Sequence, residues 1–362
     1  MAGFSVAQNF LDKLVHNFYQ TSITAGKSRT DYKWDGVESI IVPTILTQAL
    51  NDYNVGGNGN RFGIPQDVED STQTLPVKKN KSFSAVIDKS YNTKRKMIAK
   101  AGEWLTLEQR EQVVPYIDKY CMRVWTRGAG VKSNDGSLTK SNIIDKVFGA
   151  NTSFIDNSVP FEGAYLYVGA TNYNLIRLSP EFIGVDKLAE KILAKGVVGE
   201  VADFLVVKAP NSYFPSNVNF MACHKFSVTC PIKYNDTYIH VHPQGYNGHV
   251  IEGNIMFDAH VIDVLKNGIY VSLKAAEVAN ATLTLATTTL SLTAGGNKGT
   301  SAVTKTANTT EDVICESSAP YVATAAFNSS TGNVEVTPIK AGTCTITVEC
   351  GAKSATIGVT VA

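Results

Sequence analysis

The chain has 362 residues and carries 33 Lys and Arg against 32 Asp and Glu, a formal net charge of +1. This length allows two to three domains with cores of ordinary size. A net charge so close to zero excludes the global positive field of a dedicated nucleic-acid-binding protein. The first residues lack the pattern of a secretory signal, and no stretch approaches the roughly 20 apolar residues of a membrane span. We therefore expect a protein made and used in a cytosolic setting.

Residues 1–38 are predicted to form an N-terminal arm. Its apolar residues recur at helical spacing, which predicts one amphipathic helix. These residues are Phe4, Ala7, Phe10, Leu11, Leu14, Val15 and Phe18.

A long extended excursion over residues 39–87 follows the arm. We predict a strand over Ser39–Ile45, then a hairpin of Thr72–Val77 and Ser82–Ile87 that turns at Lys78-Lys79-Asn80-Lys81. Because this excursion is polar and has little core of its own, we expect it to pack against another subunit. Lys78, Lys79 and Lys81 would then form either a solvated tip or an inter-subunit contact with carboxylates of a neighbour.

The strongest helical pattern runs from residue 106 to residue 128. Thr106 and Gln109 form a capping box, Gly128 and Gly130 mark the end, and Pro115 predicts a kink near the second turn. One apolar stripe follows the helical period. It comprises Val114, Ile117, Cys121, Val124 and Trp125.

After Ser137 the pattern changes to short alternating helices and strands. We predict helices over residues 142–148, 171–178 and 185–194. Extended segments are predicted over 164–168, 201–208, 218–223, 237–242, 250–257, 259–265 and 268–274.

Composition changes sharply at Asn280-Ala281, which marks a domain boundary. From there on Thr, Ala, Val, Gly and Ser dominate, and short runs of alternating β-branched residues are separated by turn residues. This period of two predicts a small antiparallel sandwich over residues 281–362. Because such a module closes its own core, we expect few contacts across the junction with the preceding domain.

The stretch Glu316–Val361 resembles a group 2 bacterial immunoglobulin-like domain. The resemblance rests on short matches along the family's skeleton: Ser317-Ser318, Val322-Ala323-Thr324, Gly332-Asn333-Val334, Gly342–Thr347 and Val359-Thr360-Val361. The Trp that often precedes the double serine is replaced by Cys315-Glu316. Such modules occur on surface adhesins and as decorations on phage head and tail proteins.

The order of arm, β-excursion, long helix, α/β lobe and returning strands resembles the tailed-phage major capsid protein of the Hong Kong 97-like fold. Local sequence carries the same resemblance in four stretches: Leu166–Ile183, Lys195–Pro215, Asn217–His240 and Glu252–Val271. By position it implies an α+β capsid core over 39–280, with an extended loop (39–87), a spine helix (106–128), an axial lobe (137–247) and returning peripheral strands (252–274).

The resemblance implies structural work rather than enzymatic activity, with no cofactor. Such coat proteins self-assemble into hexamers and pentamers that form an icosahedral head around double-stranded DNA. It further implies a scaffolding protein and a portal as partners, assembly in the host bacterial cytoplasm, a final place in the virion, and no membrane contact. The immunoglobulin-like domain would be displayed on the exterior, where it could bind host-surface glycans weakly.

Two other classes of protein stay open. One is an encapsulin-like compartment shell, which shares the coat fold. The other is a bacterial or phage surface adhesin with the immunoglobulin-like module as its binding end.

The strongest basic run comprises Lys94, Arg95, Lys96 and Lys100. It is either a solvated face or a lining that holds DNA phosphates without sequence specificity.

His240 and His242 share one strand face at a spacing that metal sites use. Structural sites need four well-placed ligands, so we favour an exposed edge strand and predict no metal. For the cysteines we favour reduced packing, with Cys344 and Cys350 on the buried face of one strand. A Cys315–Cys344 bridge is the less favoured alternative.

Overall fold

A computed structural model gives the structure of the chain. It describes residues 22–32, 39–45, 47, 49–53, 55, 61–62, 67, 70–89, 101–179, 197–241, 243–276, 282–305, 312–351 and 353–362. The helices predicted within residues 4–18 and 185–194 lie outside the described residues.

The longest helical run is continuous from Ala101 to Arg127. It consists of helix α1 (Ala101–Glu108), a π-helical turn (Gln109–Val113) and helix α2 (Val114–Arg127). The predicted capping box is wrong, because Thr106 lies inside α1 and its hydroxyl donates to the Gly102 carbonyl at 2.9 Å. Pro115 stands at the start of α2, directly after the π turn. Because proline has no N–H, it interrupts the regular hydrogen bonds of an α-helix. The π-helical turn lies next to this interruption.

Two further helices belong to the lobe: α3 (Ile143–Asp156) and α4 (Ala170–Arg177). Both were predicted, although α3 continues for eight residues beyond the expected end at Phe148.

The strands of this part of the chain are bounded as follows: β1 (Ser39–Ile45), β2 (Asp70–Pro76), β3 (Lys79–Asp88), β4 (Val131–Asn134), β5 (Ala164–Gly169), β6 (Val197–Val201), β7 (Phe204–Ala209), β8 (Val218–His224), β9 (Val228–Thr229), β10 (Ile232–Val241), β11 (Gly248–Phe257), β12 (His260–Val261) and β13 (Ile269–Leu273).

A six-stranded mixed sheet, in the order β4-β13-β8-β5-β7-β6 among the described residues, forms the centre of the lobe. Helix α2 packs on one face, where Trp125 contacts Tyr167 with 6.3 Å between ring centroids. Helix α3 packs on the other face, where Phe154 joins Leu166 and Phe220. Covered on both faces, β5 and β8 read as nearly continuous apolar runs.

The predicted hairpin of Thr72–Val77 and Ser82–Ile87 is wrong. Strand β2 pairs with β1, with Ile45 opposite Asp70, whereas β3 pairs along its whole length with β11 in a second sheet of order β10-β11-β3. The chain changes sheets at Val77 and Lys78. Val77 is buried, and the backbone N–H of Lys78 donates to Asp258 Oδ2 at 3.0 Å. These anchors replace the expected turn.

The predicted boundary between the lobe and the returning strands also does not match the strands that share a sheet. Strand β10 leaves the lobe region 137–247 to join β11, while β13 of the returning strands sits inside the six-stranded sheet between β4 and β8. The expected extended segment 201–208 is broken by Ala202 and Asp203, whose φ angles of 48° and 66° turn β6 into β7. The segment 259–265 is extended only at β12 and then forms a 3₁₀ helix over Asp263–Gly268.

Two four-stranded sheets make up the described part of residues 282–362, in the orders β14-β16-β19-β18 and β15-β21-β20-β17. Their strands are β14 (Leu283–Leu285), β15 (Thr289–Leu292), β16 (Gly299–Lys305), β17 (Val313–Ser317), β18 (Ala323–Asn328), β19 (Asn333–Pro338), β20 (Gly342–Cys350) and β21 (Lys353–Val361). The runs of alternating residues in the sequence fall on strands, at β14, β15, β19, β20 and β21. However, β15 pairs with β21 in parallel rather than antiparallel.

The alternating burial of β20 agrees with the sequence. Cys344, Ile346, Val348 and Cys350 are buried in the core that the two sheets share. No disulfide links any of the six cysteines, all of which lie among the described residues. Cys315 stands opposite Val348, four residues along β20 from Cys344, which is roughly 13 Å at about 3.3 Å per residue and too far for a bridge.

None of the described helices is long and apolar enough to span a membrane.

Replacing Gly130 with Ala tests the close approach that follows α2. A Cβ at this position would lie 2.6 Å from the carbonyl carbon of Lys266, and the Gly130 N–H already donates to the Lys266 carbonyl at 2.9 Å. We expect the Gly130→Ala variant to lose about 1–3 kcal/mol of unfolding free energy, because backbone atoms must move apart. Chemical denaturation measures this loss.

Gly102→Ala is the matched control. A Cβ there meets nothing within 4 Å, and alanine favours a helix. The control should be as stable as the wild type or slightly more stable. Equal stability of both variants would contradict the packing described here.

Candidate assembly surfaces

The hairpin formed by β1 and β2 is anchored at its base. Val42, Leu75 and Val77 form a small buried cluster there. The side-chain amide of Gln73 donates to the Val261 carbonyl at 2.8 Å and accepts from the Asp263 N–H at 3.0 Å. Hence the base of the hairpin is fixed to the segment that contains β12.

Away from its base the hairpin exposes large apolar side chains. Ile45 is 71% exposed, and the connection to β2 holds Leu50 at 101% and Phe62 at 77%. Tyr53 packs edge-on against Phe62 with 5.2 Å between ring centroids, so these exposed rings contact each other. Because apolar groups at this density favour removal from water, the hairpin is a candidate contact surface for another protein.

Lys79 and Lys81 do not lie at a solvated tip. Both are on β3, and their ammonium groups face carboxylates of residues 312–351. Lys81 Nζ lies 2.9 Å from Glu316 Oε2, and Lys79 Nζ lies 3.5 Å from Glu349 Oε1. The third lysine, Lys78, is exposed. Its contact with a neighbouring subunit stays a prediction.

Tyr116 of α2 completes this cluster. Its hydroxyl donates to Glu316 Oε1 at 2.7 Å. Burial, and then the adjacent carboxylate, raise the pKa of Tyr116, so the hydroxyl stays protonated. We call Lys79, Lys81, Tyr116, Glu316 and Glu349 the docking cluster.

The pKa of Glu316 is set by opposing effects. Burial acts to raise it, but the hydrogen bonds from Lys81 and Tyr116 and the charge of Lys79 outweigh burial, so the pKa lies below its usual value. Glu316 is therefore a carboxylate at neutral pH. A partly buried carboxylate that accepts two hydrogen bonds and lies beside a second ammonium group is a specific contact, and it fixes the C-terminal sheets against β3 and α2.

A second contact joins the same two parts of the chain. The backbone N–H of Ser216 donates to Asp312 Oδ2 at 2.8 Å, and the Ser216 hydroxyl also bonds this carboxylate. Among the described residues the contacts across the junction are few, as expected, but the sequence did not predict these polar ones. The sequence missed the docking cluster because charged residues so far apart in the chain carry no local pattern.

The basic run Lys94, Arg95, Lys96 and Lys100 lies outside the described residues. His240 Nε2 lies 3.3 Å from Glu252 Oε2 on the paired strand β11, while His242 is not described. Within the described residues, no group of three or more His, Cys, Asp or Glu side chains could hold a metal ion.

No protein-family model matches the sequence, and no curated protein matches it either. Solved structures do match. A protein of Mycobacterium phage Che8 is 14% identical with a TM-score of 0.56, covering 75% of this chain and 98% of its own. The capsid structure of cyanophage P-SCSP1u is 14% identical with a TM-score of 0.60, covering 75% of this chain and 93% of its own. The capsid of Ralstonia phage GP4 is 8% identical with a TM-score of 0.54, covering 76% of this chain and 97% of its own. About three quarters of the chain thus has the fold of tailed-phage capsid structures.

Replacing Glu316 with Gln tests the docking cluster. The amide cannot accept two charge-assisted hydrogen bonds as a carboxylate does, so we expect a loss of about 1–3 kcal/mol in unfolding free energy at neutral pH. Because the folded pKa is lowered, the carboxylate stabilises the protein above its unfolded pKa of about 4.3 and loses this effect as pH falls through the lower folded pKa. The difference between variant and wild type should therefore shrink in acid.

Glu335→Gln is the matched control, because Glu335 also accepts two hydrogen bonds, from Lys298 and Asn328, but both lie within the C-terminal domain. Because Lys298 is mostly exposed, the control should lower the denaturation midpoint less than Glu316→Gln does. If Glu316→Gln behaved like this control at neutral pH, the docking cluster would not hold the domains together.

Proposed function

We propose that this chain is a major capsid protein of a tailed phage with the Hong Kong 97-like fold. In this proposal it self-assembles into hexamers and pentamers that form an icosahedral shell around double-stranded DNA, with a scaffolding protein and a portal as further partners. It works in the virion after assembly in the host cytoplasm, and it has no enzymatic role. One observation carries the proposal: a chain with the fold of phage capsid structures presents an anchored hairpin whose apolar end is exposed.

The exposed hairpin explains why assembly would be favourable. A side chain such as Leu50 or Phe62 gains about 1.5–3 kcal/mol when it is fully buried. One hairpin per subunit, covered by a neighbour, creates the same contact at every step around a ring. Such head-to-tail interfaces produce closed rings when the rotation closes. The hairpin with its connection, residues 39–76, therefore corresponds to most of the extended loop 39–87, and β3 belongs to the core.

The remaining parts of the proposal follow the division of the chain. Residues 1–38 are the arm and 106–128 the spine helix. The axial lobe is 137–247 and the returning peripheral strands are 252–274, except that β10 joins the peripheral strands and β13 joins the sheet of the lobe. The basic run Lys94, Arg95, Lys96 and Lys100 holds DNA phosphates on the inner surface. Residues 281–362 form the immunoglobulin-like domain, which is displayed outside and binds host-surface glycans weakly, with many copies giving useful avidity.

Shortening the hairpin tests assembly directly. Ile45 and Asp70 are partners across β1 and β2, so residues 46–69 can be replaced by an Asn-Gly turn without changing the register. We expect a folded protein that forms no shells or rings, measured by light scattering and negative-stain microscopy. The unchanged chain, expressed with a scaffold if one is needed, should form them.

A milder variant separates folding from assembly. Leu50→Ser with Phe62→Ser removes two exposed apolar side chains and should slow or abolish assembly at unchanged thermal stability. Ile339→Ser is the matched control, since Ile339 is 51% exposed on the C-terminal domain. Normal shells from the double variant would contradict the role of the hairpin.

An epitope inserted after Ser330 tests exterior display. Ser330 lies in the exposed turn between β18 and β19, where Gly332 takes a φ of 72°. We expect an antibody to bind intact particles as well as it binds dissociated ones. Binding only after dissociation would place the domain inside the shell.

A further inference from the structure

Two cysteines from distant parts of the chain are in sulfur–sulfur contact. Cys121 Sγ lies 3.0 Å from Cys230 Sγ, although 109 positions separate the residues. This distance is only about 1 Å longer than a disulfide bond. Cys121 is fully buried in the core that α2 covers, whereas Cys230 is partly exposed.

The contact lies where the chain passes from one sheet to the other. Cys230 lies in the two-residue connection between β9 and β10, and β10 belongs to the three-stranded sheet. Cys121 belongs to α2. This helix packs in one core with Tyr167 of the six-stranded sheet and Phe257 of the three-stranded sheet. A covalent bond here would fix α2 to the connection between the sheets.

We propose that Cys121 and Cys230 are a modification site that closes into a disulfide when the protein meets a small-molecule disulfide such as oxidised glutathione. The Cys230 thiolate attacks one sulfur of the oxidant, forming a mixed disulfide and releasing one glutathione thiolate. The Cys121 thiolate then attacks the Cys230 sulfur, which releases the second glutathione. The two protein thiols lose two electrons and two protons, and the oxidant is reduced to two thiols.

The order of attack follows from exposure. Cys230 reaches solvent, so it can meet the oxidant. Burial, and then the hydrogen bond with Cys230, raise the pKa of Cys121. That leaves Cys121 a poor first nucleophile but places it beside the mixed disulfide once that has formed. A reducing cytosol keeps the pair open, and an oxidising medium closes it.

The bond would close a long loop in the unfolded chain. Loops of about 100 residues give large entropic stabilisation, so we expect the melting temperature to rise on the order of 10 °C. The rise should disappear on adding a reductant.

The test uses the full chain, purified with a reductant and then equilibrated with oxidised glutathione. Alkylation followed by intact mass should show that two of its six thiols are lost. Peptide mapping should find the bond between Cys121 and Cys230. Cys230→Ser should keep its remaining thiols free of any intramolecular bond and show no gain in melting temperature.

Two further variants make the result decisive. Cys121→Ser leaves Cys230 without its partner, so it should stop at the mixed disulfide. Cys223→Ser removes another buried thiol, in β8, and should still close the bond. Six alkylatable thiols after equilibration, or a bond mapped to other cysteines, would overturn the proposal.

Discussion

One face of helix α2 holds the two sheets of the core together. Ile117, Cys121 and Trp125 follow each other at one helical turn and are buried against side chains of both the six-stranded sheet and the three-stranded sheet. Removing this face from water favours the arrangement in which both sheets pack against α2. The position of β11, and through it the position of β3, depends on this packing.

The C-terminal domain depends on the same arrangement. Tyr116 on α2 and Lys81 on β3 meet at Glu316 only because α2 and the β10-β11-β3 sheet are held side by side. Polar contacts of this kind define orientation more than they add stability. The domain is thus placed by charge and hydrogen bonding on a frame that apolar packing has built.

Local patterns predicted much of the fold. The period of two identified β19, β20 and β21, and the apolar stripe of α2 identified the helix that the core is built around. The sequence did not predict which strands pair or where several helices and strands end. Residues 72–87 alternate as two strands of a hairpin would, yet β3 pairs with β11, whose partner residues lie at least 160 positions later. Pairing is decided by which buried faces meet in the folded chain, and the sequence of a single strand does not contain that information.

The candidate site was predicted in part. The sequence indicated the excursion that becomes the β1–β2 hairpin, because it is long and has little core of its own. It placed Lys79 and Lys81 at a tip, since their carboxylate partners lie more than 230 residues away. The sulfur contact between Cys121 and Cys230 was missed for the same reason. Contacts that are distant in sequence need the fold before they can be recognised.

A cryo-electron microscopy reconstruction of particles formed by the full chain tests the central claim most directly. The account predicts a closed shell in which Leu50 and Phe62 of each subunit are buried against a neighbouring subunit. Particles without a closed shell, or a shell in which these side chains remain in solvent, would contradict it.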